Sequence, residues 1–263
     1  MNKRVVREIV SRTRRVIPKS VRQQISRLDI AFGEAESELF PSIYLSLKYL
    51  RDWGYCPKTI IDVGAYHGEW TQMVKKVFPT AKVLMVEPQE NKKEILEFVC
   101  KSYKNEVFLE TALLGASEGK EVHFIEMETG SSVFEENNTY ASKKKVTKKT
   151  ITLDKIVETS YDWEKIDFLK LDVQGYELEV LAGATACLKS CDFVLMEASL
   201  IPVNTGCPLI ADVIRFMDEK NFRLLDFCSQ TRRRDKALWQ TDLLFIRSDS
   251  PYLPIPENNR DNW

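Results

Sequence analysis

Residues 58–68, KTIIDVGAYHG, place two glycines directly after a short apolar segment. The apolar segment, TIIDV, is rich in β-branched residues and predicts a strand buried on both faces of a parallel sheet. Gly64 and Gly68 allow the backbone to turn sharply and to approach a ligand closely. A helical pattern follows at residues 69–78, and the amides at the start of a helix can bind a negatively charged group. The pattern is typical of a loop that binds a nucleotide-type cofactor.

Glu87 is the second feature of this pattern, because it ends the next predicted strand, VLMVE. It follows Asp62 by 25 residues, and a carboxylate at that place can accept two hydrogen bonds from a ribose diol. A dinucleotide-binding loop would read G-x-G-x-x-G. Here the loop reads DVGAYHG, with Tyr66 at the place of the middle glycine. The spacing therefore predicts a ribose-binding carboxylate and leaves NAD open as the cofactor.

Two further carboxylates, Asp172 and Glu197, end neighbouring predicted strands. In open α/β sheets, ligands bind at the carboxyl ends of the strands, so both are candidate site residues. Glu177 follows closely and is expected to cap or charge the start of a helix. His67 and His123 are the only histidines. We expect His67 either to face the substrate or to be a solvated loop residue, and His123 to be structural.

These residues require strands and helices that alternate along the chain. Apolar patterns predict strands at 58–63, 82–87, 107–114, 166–172 and 193–197, and helices at 69–78, 91–102, 177–189 and 208–220. A further helix at 36–53 is expected to cover one edge of the core. Such alternation implies a parallel sheet with helices on both faces.

Two regions depart from the alternation. Residues 115–149 contain a predicted strand at 122–125, a tight loop at 130–132 and a lysine-rich stretch at 143–149. We interpret the lysine-rich stretch as an exposed basic turn that is either merely solvated or attracts an anionic substrate. Residues 151–159 form a short extended or helical connector. Residues 222–228 and 242–247 are two strands without a clear helix between them, which favours an antiparallel hairpin at the sheet edge.

The composition fits one α/β domain with appendages, or at most two domains, in a chain of 263 residues. Hydrophobic residues make up 44% of the chain, enough for a substantial core. The formal net charge of −1 gives no indication of nucleic-acid binding, and no such partner is expected. The six cysteines form no C-x-x-C pair and give no zinc spacing, which favours reduced thiols in the cytoplasm.

Residues 1–28 form a basic segment with nine Lys or Arg residues and one acidic residue. Its apolar residues fall at helical spacing, with a division at Pro18. Three interpretations remain open: binding to an anionic membrane surface, packing on the chain's own domain, or an organelle transit peptide. The segment lacks the apolar core of a secretory signal, and no apolar run in the chain approaches the roughly 18 residues of a membrane span.

Seven stretches carry a family resemblance: IIDVGAYHG, VEP, GSS, TLDKI, FLKLDVQGYELEVLAGA, LMEAS and DLLFI, in that order. Together they resemble the FkbM family of S-adenosylmethionine-dependent methyltransferases over about residues 58–247, with residues 167–184 the most distinctive. Many members have Glu where this chain has Gln174, although Gln is also common there. The resemblance implies a Rossmann-like methyltransferase fold, with helices on both faces of a seven-stranded, mostly parallel sheet whose last strand is antiparallel.

The resemblance also implies S-adenosylmethionine as the cofactor. Gly64, Ala65 and Gly68 would let the backbone approach its methionine part, Glu87 would hold the ribose, and Ala112 and Leu113 would flank the adenine. The complete set of predicted cofactor-binding residues is Asp62, Gly64, Ala65, Tyr66, Gly68, Glu87, Ala112 and Leu113.

The implied reaction is O-methylation, commonly of sugars or secondary-metabolite hydroxyls. A protonated hydroxyl is a poor nucleophile, so a base or a metal ion should act on it. Asp172 is the predicted base, with a structural helix cap as the alternative, and His67 is the second catalytic candidate. If the reaction depends on a metal such as Mg²⁺, Asp172 and Glu197 are the predicted ligands.

The sequence therefore predicts an S-adenosylmethionine-dependent O-methyltransferase for a hydroxyl of a sugar, glycan or glycoconjugate. The alternatives are an NAD-dependent oxidoreductase and a non-catalytic cofactor-binding module. The acceptor is expected to be a sugar or glycan that is either neutral, anionic or lipid-linked. The enzyme is expected in the cytoplasm, either free or peripheral at the inner face of the membrane through residues 1–28. The predicted division is a basic segment at 1–28, a helical cover at 29–54, a methyltransferase domain at 55–250 and an irregular tail at 251–263.

Overall fold

The computed structural model describes residues 41–126, 144–202 and 206–253. The chain divides into two compact units, Met1–Ser42 and Ile43–Trp263, and the following description concerns the second. The predicted basic segment at 1–28, the loop at 130–132 and residues 254–263 of the predicted tail lie outside the described residues. The predicted division into four segments stays a prediction.

The strands in chain order are β1 (Thr59–Val63), β2 (Lys82–Val86), β3 (Val107–Glu110), β4 (Leu113–Leu114), β5 (Glu121–Glu126), β6 (Lys144–Ile151), β7 (Phe168–Leu171), β8 (Phe193–Ser199), β9 (Phe222–Phe227), β10 (Thr231–Arg232) and β11 (Leu238–Arg247). The α-helices are α1 (Ile43–Asp52), α2 (Glu69–Val77), α3 (Lys93–Ser102), α4 (Leu153–Ser160), α5 (Glu177–Ala182), α6 (Thr185–Ser190) and α7 (Ile210–Glu219). A 3₁₀ turn at Glu90–Lys92 precedes α3.

The main sheet confirms the predicted mostly parallel arrangement with an antiparallel last strand. Strands β3, β2, β1, β7 and β8 are parallel neighbours in that order. β11 lies antiparallel beside β8 and pairs on its other edge with β9, which confirms the predicted hairpin pairing. The main sheet has eight strands among the described residues instead of the predicted seven, because the two-residue β10 also pairs with β11.

Helices cover both faces of this sheet, as predicted. Ile60 and Ile61 are both fully buried but belong to different hydrophobic clusters, because successive side chains of a strand point to opposite faces. The cluster around Ile60 includes residues of α1, α2 and α3, such as Leu50. The cluster around Ile61 includes residues of α4 to α7, such as Met217. The core therefore lies in two layers that hold the carboxyl ends of the strands in fixed positions.

Residues 144–149 of the lysine-rich stretch belong to a strand, β6, which corrects the prediction of a basic turn. β6 pairs antiparallel with β5, with Lys148 opposite Val122 and Thr147 opposite His123, and β4 pairs with β6 to complete a second sheet. The predicted strand at 107–114 divides between the two sheets, since β3 pairs with β2 whereas β4 pairs with β6. The predicted helix at 177–189 is likewise two short helices, α5 and α6. In all three cases, pairing and packing with residues distant in the sequence determine the secondary structure.

Candidate active site

The loop between β1 and α2 can only be built with glycine at position 64. Gly64 has a φ of 75°, in the left-handed region that side chains disfavour. A Cβ atom at this position would overlap the carbonyl oxygen of Asp172. The Gly64 amide donates a 2.9 Å hydrogen bond to the Val86 carbonyl, which joins the loop to the end of β2. The loop backbone therefore lies directly against the segment that carries Asp172.

Glu87 is buried and is hydrogen-bonded to this loop. One of its carboxylate oxygens accepts the Tyr66 amide at 2.9 Å, and the other accepts the Gln89 amide at 3.1 Å. Burial raises the pKa of Glu87, while the two amides and the charge of Lys170 act in the opposite direction. Each carboxylate oxygen can accept more than one hydrogen bond, so Glu87 keeps acceptor capacity for a ligand.

A pocket of about 260 Å³ opens beside these residues. Its walls come from the ends of β1, β2 and β7, from β4 and β5, and from the start of the β7–α5 segment. Six of the predicted site residues line it: Gly64, Tyr66, Glu87, Ala112, Leu113 and Asp172. The other lining residues are Val63, Val86, Pro88, Gln89, Leu114, Phe124, Val173, Gln174, Tyr176 and Val180.

Five predicted residues do not line the pocket, and Asp62 is the most informative of them. Its carboxylate is fully buried beneath the loop, where it accepts the Thr71 hydroxyl at 2.7 Å and pairs with Lys170 at 3.0 Å. Ala65 is buried in the core on the α2 side, and Gly68 is the N-cap of α2. These residues support the loop from behind, and their predicted role in cofactor binding stays a prediction.

His67 is the fourth of these residues. Its ring stacks on Tyr66 with centroids 3.8 Å apart, and its Nε2 lies 3.1 Å from Lys92 Nζ. Its Nδ1 lies 3.5 Å from a Glu69 carboxylate oxygen. Since a lysine ammonium can only donate, Nε2 is the acceptor and Nδ1 carries the proton toward Glu69. Both ring nitrogens therefore have partners outside the pocket, which argues against the catalytic role predicted for His67.

Asp172 has a half-exposed carboxylate at the mouth of the pocket, with 43% of the side chain accessible. Gln174 Nε2 donates to Asp172 Oδ1 at 2.9 Å and to Glu197 Oε2 at 3.3 Å. Lys170 Nζ lies 3.9 Å from the other Asp172 oxygen. Glu197 does not line the pocket, and Gln240 also donates to it. The Gln174 amide thus bridges the two carboxylates that were predicted as metal ligands.

This donor set does not fit a magnesium ion. Three of the four carboxylate oxygens already accept hydrogen bonds from amides, since Gln174 donates to one oxygen of Asp172 and one of Glu197, and Gln240 donates to the other oxygen of Glu197. Within the part of the chain that the structure describes, no group of three or more His, Cys, Asp or Glu side chains is arranged to hold a metal ion. The prediction of magnesium therefore finds no support.

Several buried acids surround Asp172. Glu177 accepts the amides of Val173 and Gly175 at 3.0 and 3.2 Å, and burial raises its pKa to about 7. Burial, together with the charges of Asp172, Glu177 and Asp242, raises the pKa of Glu197 well above its usual range. Both effects favour the protonated form of Glu197.

A family model described as methyltransferase FkbM domain matches residues 62–224, which include the loop, the pocket and Asp172. The chain belongs to the FkbM methyltransferase family. The resemblance drawn from the seven sequence stretches is thereby confirmed.

Individual relatives of this FkbM chain match it over limited parts of their length. The hexuronic acid methyltransferase AglP of Haloferax volcanii is 46% identical over 52 residues, which is 20% of this chain and 21% of AglP. The chain thus spans about a fifth of the length of this curated relative. The solved methyltransferase FkbM from Methylobacillus flagellatus KT is 16% identical, over 72% of this chain and 43% of that one, with a TM-score of 0.46. Magnesium protoporphyrin IX methyltransferase from Synechocystis PCC 6803, solved with bound SAM, is 14% identical over 77% and 76% of the two chains, also with a TM-score of 0.46.

Three further residues at the candidate site of this FkbM chain were not predicted from the sequence. Lys170 is buried and its Nζ lies 3.1 Å from the Gly64 carbonyl, so it supports the glycine loop. A lysine within the otherwise apolar FLKL strand is the signal that could have revealed it. Gln89 and Phe124 line the pocket but come from a turn and from β5, and only the tertiary structure brings them there.

Proposed function

We propose that this protein is an S-adenosylmethionine-dependent O-methyltransferase that acts on a hydroxyl of a sugar, glycan or glycoconjugate. The observation that carries the proposal is the buried Glu87 carboxylate, which lines the pocket and accepts the Tyr66 amide of the glycine loop at 2.9 Å. One wall of the pocket thus contains both a carboxylate that would accept the ribose hydroxyls and a loop whose backbone can approach a ligand closely. Membership of the FkbM family supports the proposal and removes the basis of the NAD alternative.

The residues that line the pocket fit the proposed cofactor. Glu87 would accept the ribose hydroxyls, and Ala112 and Leu113 offer an apolar wall for the adenine ring. Gln89 is buried, and its Oε1 has no hydrogen-bond partner in the described structure. A buried amide oxygen without a partner costs free energy, so it favours a ligand that donates a hydrogen bond there.

Backbone strain points to the same pocket. Tyr66 and Gln174 both adopt left-handed backbone conformations, with φ of 51° and 56°, and both line the pocket. Such conformations cost about 1–3 kcal/mol for residues other than glycine and cluster at functional sites. One of the two strained residues lies on the β1–α2 loop and the other follows β7.

Asp172 is the proposed general base. S-adenosylmethionine, when bound, supplies an electrophilic methyl group. The Asp172 carboxylate would accept the proton of the acceptor hydroxyl as its oxygen is methylated. Its 2.9 Å hydrogen bond from Gln174 holds the carboxylate in one orientation, which keeps the other oxygen directed for proton transfer. The raised pKa of Glu197 favours its protonated form, which lowers the negative charge beside Asp172.

A sugar acceptor is the finer part of the proposal. AglP, which matches over 52 residues, is described as a hexuronic acid methyltransferase. Hydroxyl groups are the methylatable groups that most sugars offer, and the half-exposed position of Asp172 leaves room for a bulky acceptor outside the pocket. We therefore propose a glycan or glycoconjugate in preference to a small metabolite.

The cellular location is also a proposal. We propose a cytoplasmic enzyme whose residues 1–28 bring it to an anionic membrane and to membrane-proximal glycans. Those residues lie outside the described part of the chain. Across residues 41–126, 144–202 and 206–253, no helix combines the length and apolar character that a bilayer crossing requires. Vesicle co-sedimentation at low and high salt tests the hypothesis, and equal sedimentation of the full chain and a chain starting at Asp29 would exclude it.

The test of the proposed function has two parts. Calorimetry should show binding of S-adenosylmethionine or S-adenosylhomocysteine and no comparable binding of NAD. Incubation with a methyl-labelled donor and a panel of cell glycans should yield a product heavier by one methyl group in mass spectrometry. Tight binding of NAD without binding of the methyl donor would overturn the proposal.

A further inference from the structure

The turn between β10 and β11 carries a concentrated positive charge. Residues 231–237, hereafter the basic turn, read TRRRDKA. Four of these seven residues are cationic and one is acidic, namely Arg232, Arg233, Arg234, Lys236 and Asp235, and all five are exposed. A cluster of this density can attract and hold an anionic group.

The basic turn is held in one conformation by its own contacts. The Arg233 guanidinium donates to Asp235 Oδ2 at 2.6 Å, and the Ala237 amide donates to Asp235 Oδ1 at 3.1 Å. The Lys236 amide donates to the Arg233 carbonyl at 2.9 Å, which closes the turn. Asp235 therefore neutralises Arg233 within the turn. The Arg232 guanidinium donates to the Lys236 carbonyl at 3.1 Å, which also holds the turn. Within the described part of the chain, no carboxylate pairs with Arg232, Arg234 or Lys236, so their positive charge is available to an external partner.

The basic turn extends from the edge of the sheet that carries the candidate active site. Because β11 runs antiparallel to β8, its first residues lie at the carboxyl edge of the parallel strands, with Gln240 opposite Ser199. Gln240 donates to Glu197, and Gln174 joins Glu197 to Asp172 at 3.3 and 2.9 Å. Lys236 precedes Gln240 by four residues, a distance of about 13 Å in extended backbone. The basic turn thus extends from the same edge of the sheet that bears the proposed base.

The basic turn and the pocket beside Asp172 carry opposite charges. Asp172 lines the pocket with a half-exposed carboxylate, beside the position where the acceptor hydroxyl would react. An anionic group placed there would be repelled by Asp172, whereas the same group at the basic turn would meet three cations. An acceptor with a neutral hydroxyl at one end and an anionic group at the other would place the hydroxyl beside Asp172 and the anionic group at the basic turn.

We propose that the basic turn binds an anionic group of the acceptor, a carboxylate or a phosphate, while a neutral hydroxyl of the same molecule faces Asp172. The proposal rests on the proposed methyltransferase function and narrows its substrate to anionic glycans or glycoconjugates. Oxyanions suit this surface, since Arg232 and Arg234 offer planar guanidinium groups that can bind them with paired hydrogen bonds.

Binding tests the basic turn without depending on catalysis. The full-length protein, saturated with S-adenosylhomocysteine, is titrated by calorimetry with trigalacturonate, with pyrophosphate and with neutral maltotriose. The same titrations are made with the triple variant Arg232→Gln, Arg234→Gln, Lys236→Gln. The matched control is Lys58→Gln, Lys76→Gln, Lys82→Gln, which removes the same charge from exposed positions near the amino ends of β1 and β2.

We expect one of the two anions to bind, with an affinity that falls about tenfold in the basic-turn variant, as for the loss of several exposed ion pairs. The preferred anion distinguishes a carboxylate from a phosphate acceptor. The control variant should bind like the wild type, and maltotriose should bind more weakly than the preferred anion. Absence of anion binding, or equal weakening in both variants, overturns the inference. Binding of anionic vesicles through the basic turn, without binding of either soluble anion, also overturns it and identifies a membrane surface instead.

Activity provides the second measurement. With labelled methyl donor, anionic oligosaccharides should be methylated in preference to neutral ones, and the basic-turn variant should raise KM about tenfold with kcat within about twofold. Equal kcat/KM for neutral and anionic acceptors would overturn the inference while leaving the methyltransferase function intact. Anion binding by the basic turn with no methyl transfer to any acceptor would overturn the proposed function instead.

Discussion

Lys170 Nζ lies 3.0 Å from Asp62 Oδ1, and both side chains are buried at the end of neighbouring strands. The two residues are direct partners in the pairing of β1 with β7. Lys170 also donates to the Gly64 carbonyl at 3.1 Å. Burial by itself would lower the pKa of Lys170, but the charges of Asp62 and Asp172 outweigh it and raise the pKa. A charged lysine is thus held under the glycine loop.

Replacement of this lysine should destabilise the protein strongly. Lys170→Met leaves the Asp62 carboxylate without its partner in the core, and breaking a buried pair in this way costs about 3–5 kcal/mol. The measurement is the free energy of unfolding in urea. Arg51→Met, which removes an exposed ion pair with Asp52, is the control and should cost no more than about 1 kcal/mol. Equal effects of the two substitutions would show that the buried pair does not stabilise the fold.

Glu87→Gln should weaken cofactor binding without disturbing the loop. The glutamine oxygen can still accept the Tyr66 amide, although its NH2 group cannot accept the Gln89 amide, and the ribose hydroxyls would lose a charged acceptor worth about 1.5–3 kcal/mol. Calorimetry with S-adenosylhomocysteine measures the difference. Glu90→Gln, an exposed substitution three residues further on, should leave the affinity unchanged. An unaltered affinity in Glu87→Gln would remove Glu87 from the cofactor site.

Asp172→Asn should retain cofactor binding and lose activity. The substitution keeps the size of the side chain but removes the charge that accepts the proton, and a general base typically contributes about 10²–10⁴-fold. Initial rates and S-adenosylhomocysteine affinity are measured together. His67→Ala should remain close to the wild-type rate, because its ring nitrogens face Lys92 and Glu69. The opposite pattern of rates would transfer the catalytic role to His67.

Glu197 should make the stability depend on pH in a defined direction. In the unfolded chain a glutamate ionises near pH 4.3, whereas burial holds the proton on Glu197 to much higher pH in the folded protein. The folded state therefore binds more protons in this window, and stability is lost as the pH rises through the raised pKa of Glu197. Glu177, with a pKa of about 7, acts in the same direction over the lower part of the window.

Urea unfolding between pH 5 and 9 measures this effect. Glu197→Gln cannot ionise, so its free energy of unfolding should fall less steeply with pH than that of the wild type. Glu219→Gln, at an exposed position, should show the wild-type slope. A parallel pH dependence in Glu197→Gln would show that Glu197 is already ionised in the folded protein.

Prediction from the sequence succeeded where the signal was local. The strand TIIDV, the glycines that follow it and the carboxylate at the end of VLMVE lie within short segments whose composition restricts their conformation. The structure brings six of the predicted residues around one pocket, including Gly64, Glu87 and Asp172. Parallel strands present their carboxyl ends at one edge, so residues at those ends meet without further information.

Prediction from the sequence failed where contacts with a residue distant in the sequence determine the local structure. The lysines of β6 carry no strand signal of their own, but pairing with β5 makes the segment extended. The contacts of two predicted site residues were likewise hidden in the sequence, although their roles stay predictions. Asp62 pairs with a lysine 108 positions later. The His67 ring stacks on Tyr66 and contacts Lys92, and His67 does not line the pocket.

The sequence by itself therefore determined the parallel α/β architecture, the family and the edge of the sheet that carries the site. These follow from the periodicity of side chains and from backbone positions that require glycine, which are properties of short segments. Only the tertiary structure decided which side chains enter the pocket and which support it from behind. That choice depends on burial and on charge pairing between strands, as in the Asp62–Lys170 pair and the Gln174 amide that joins Asp172 to Glu197.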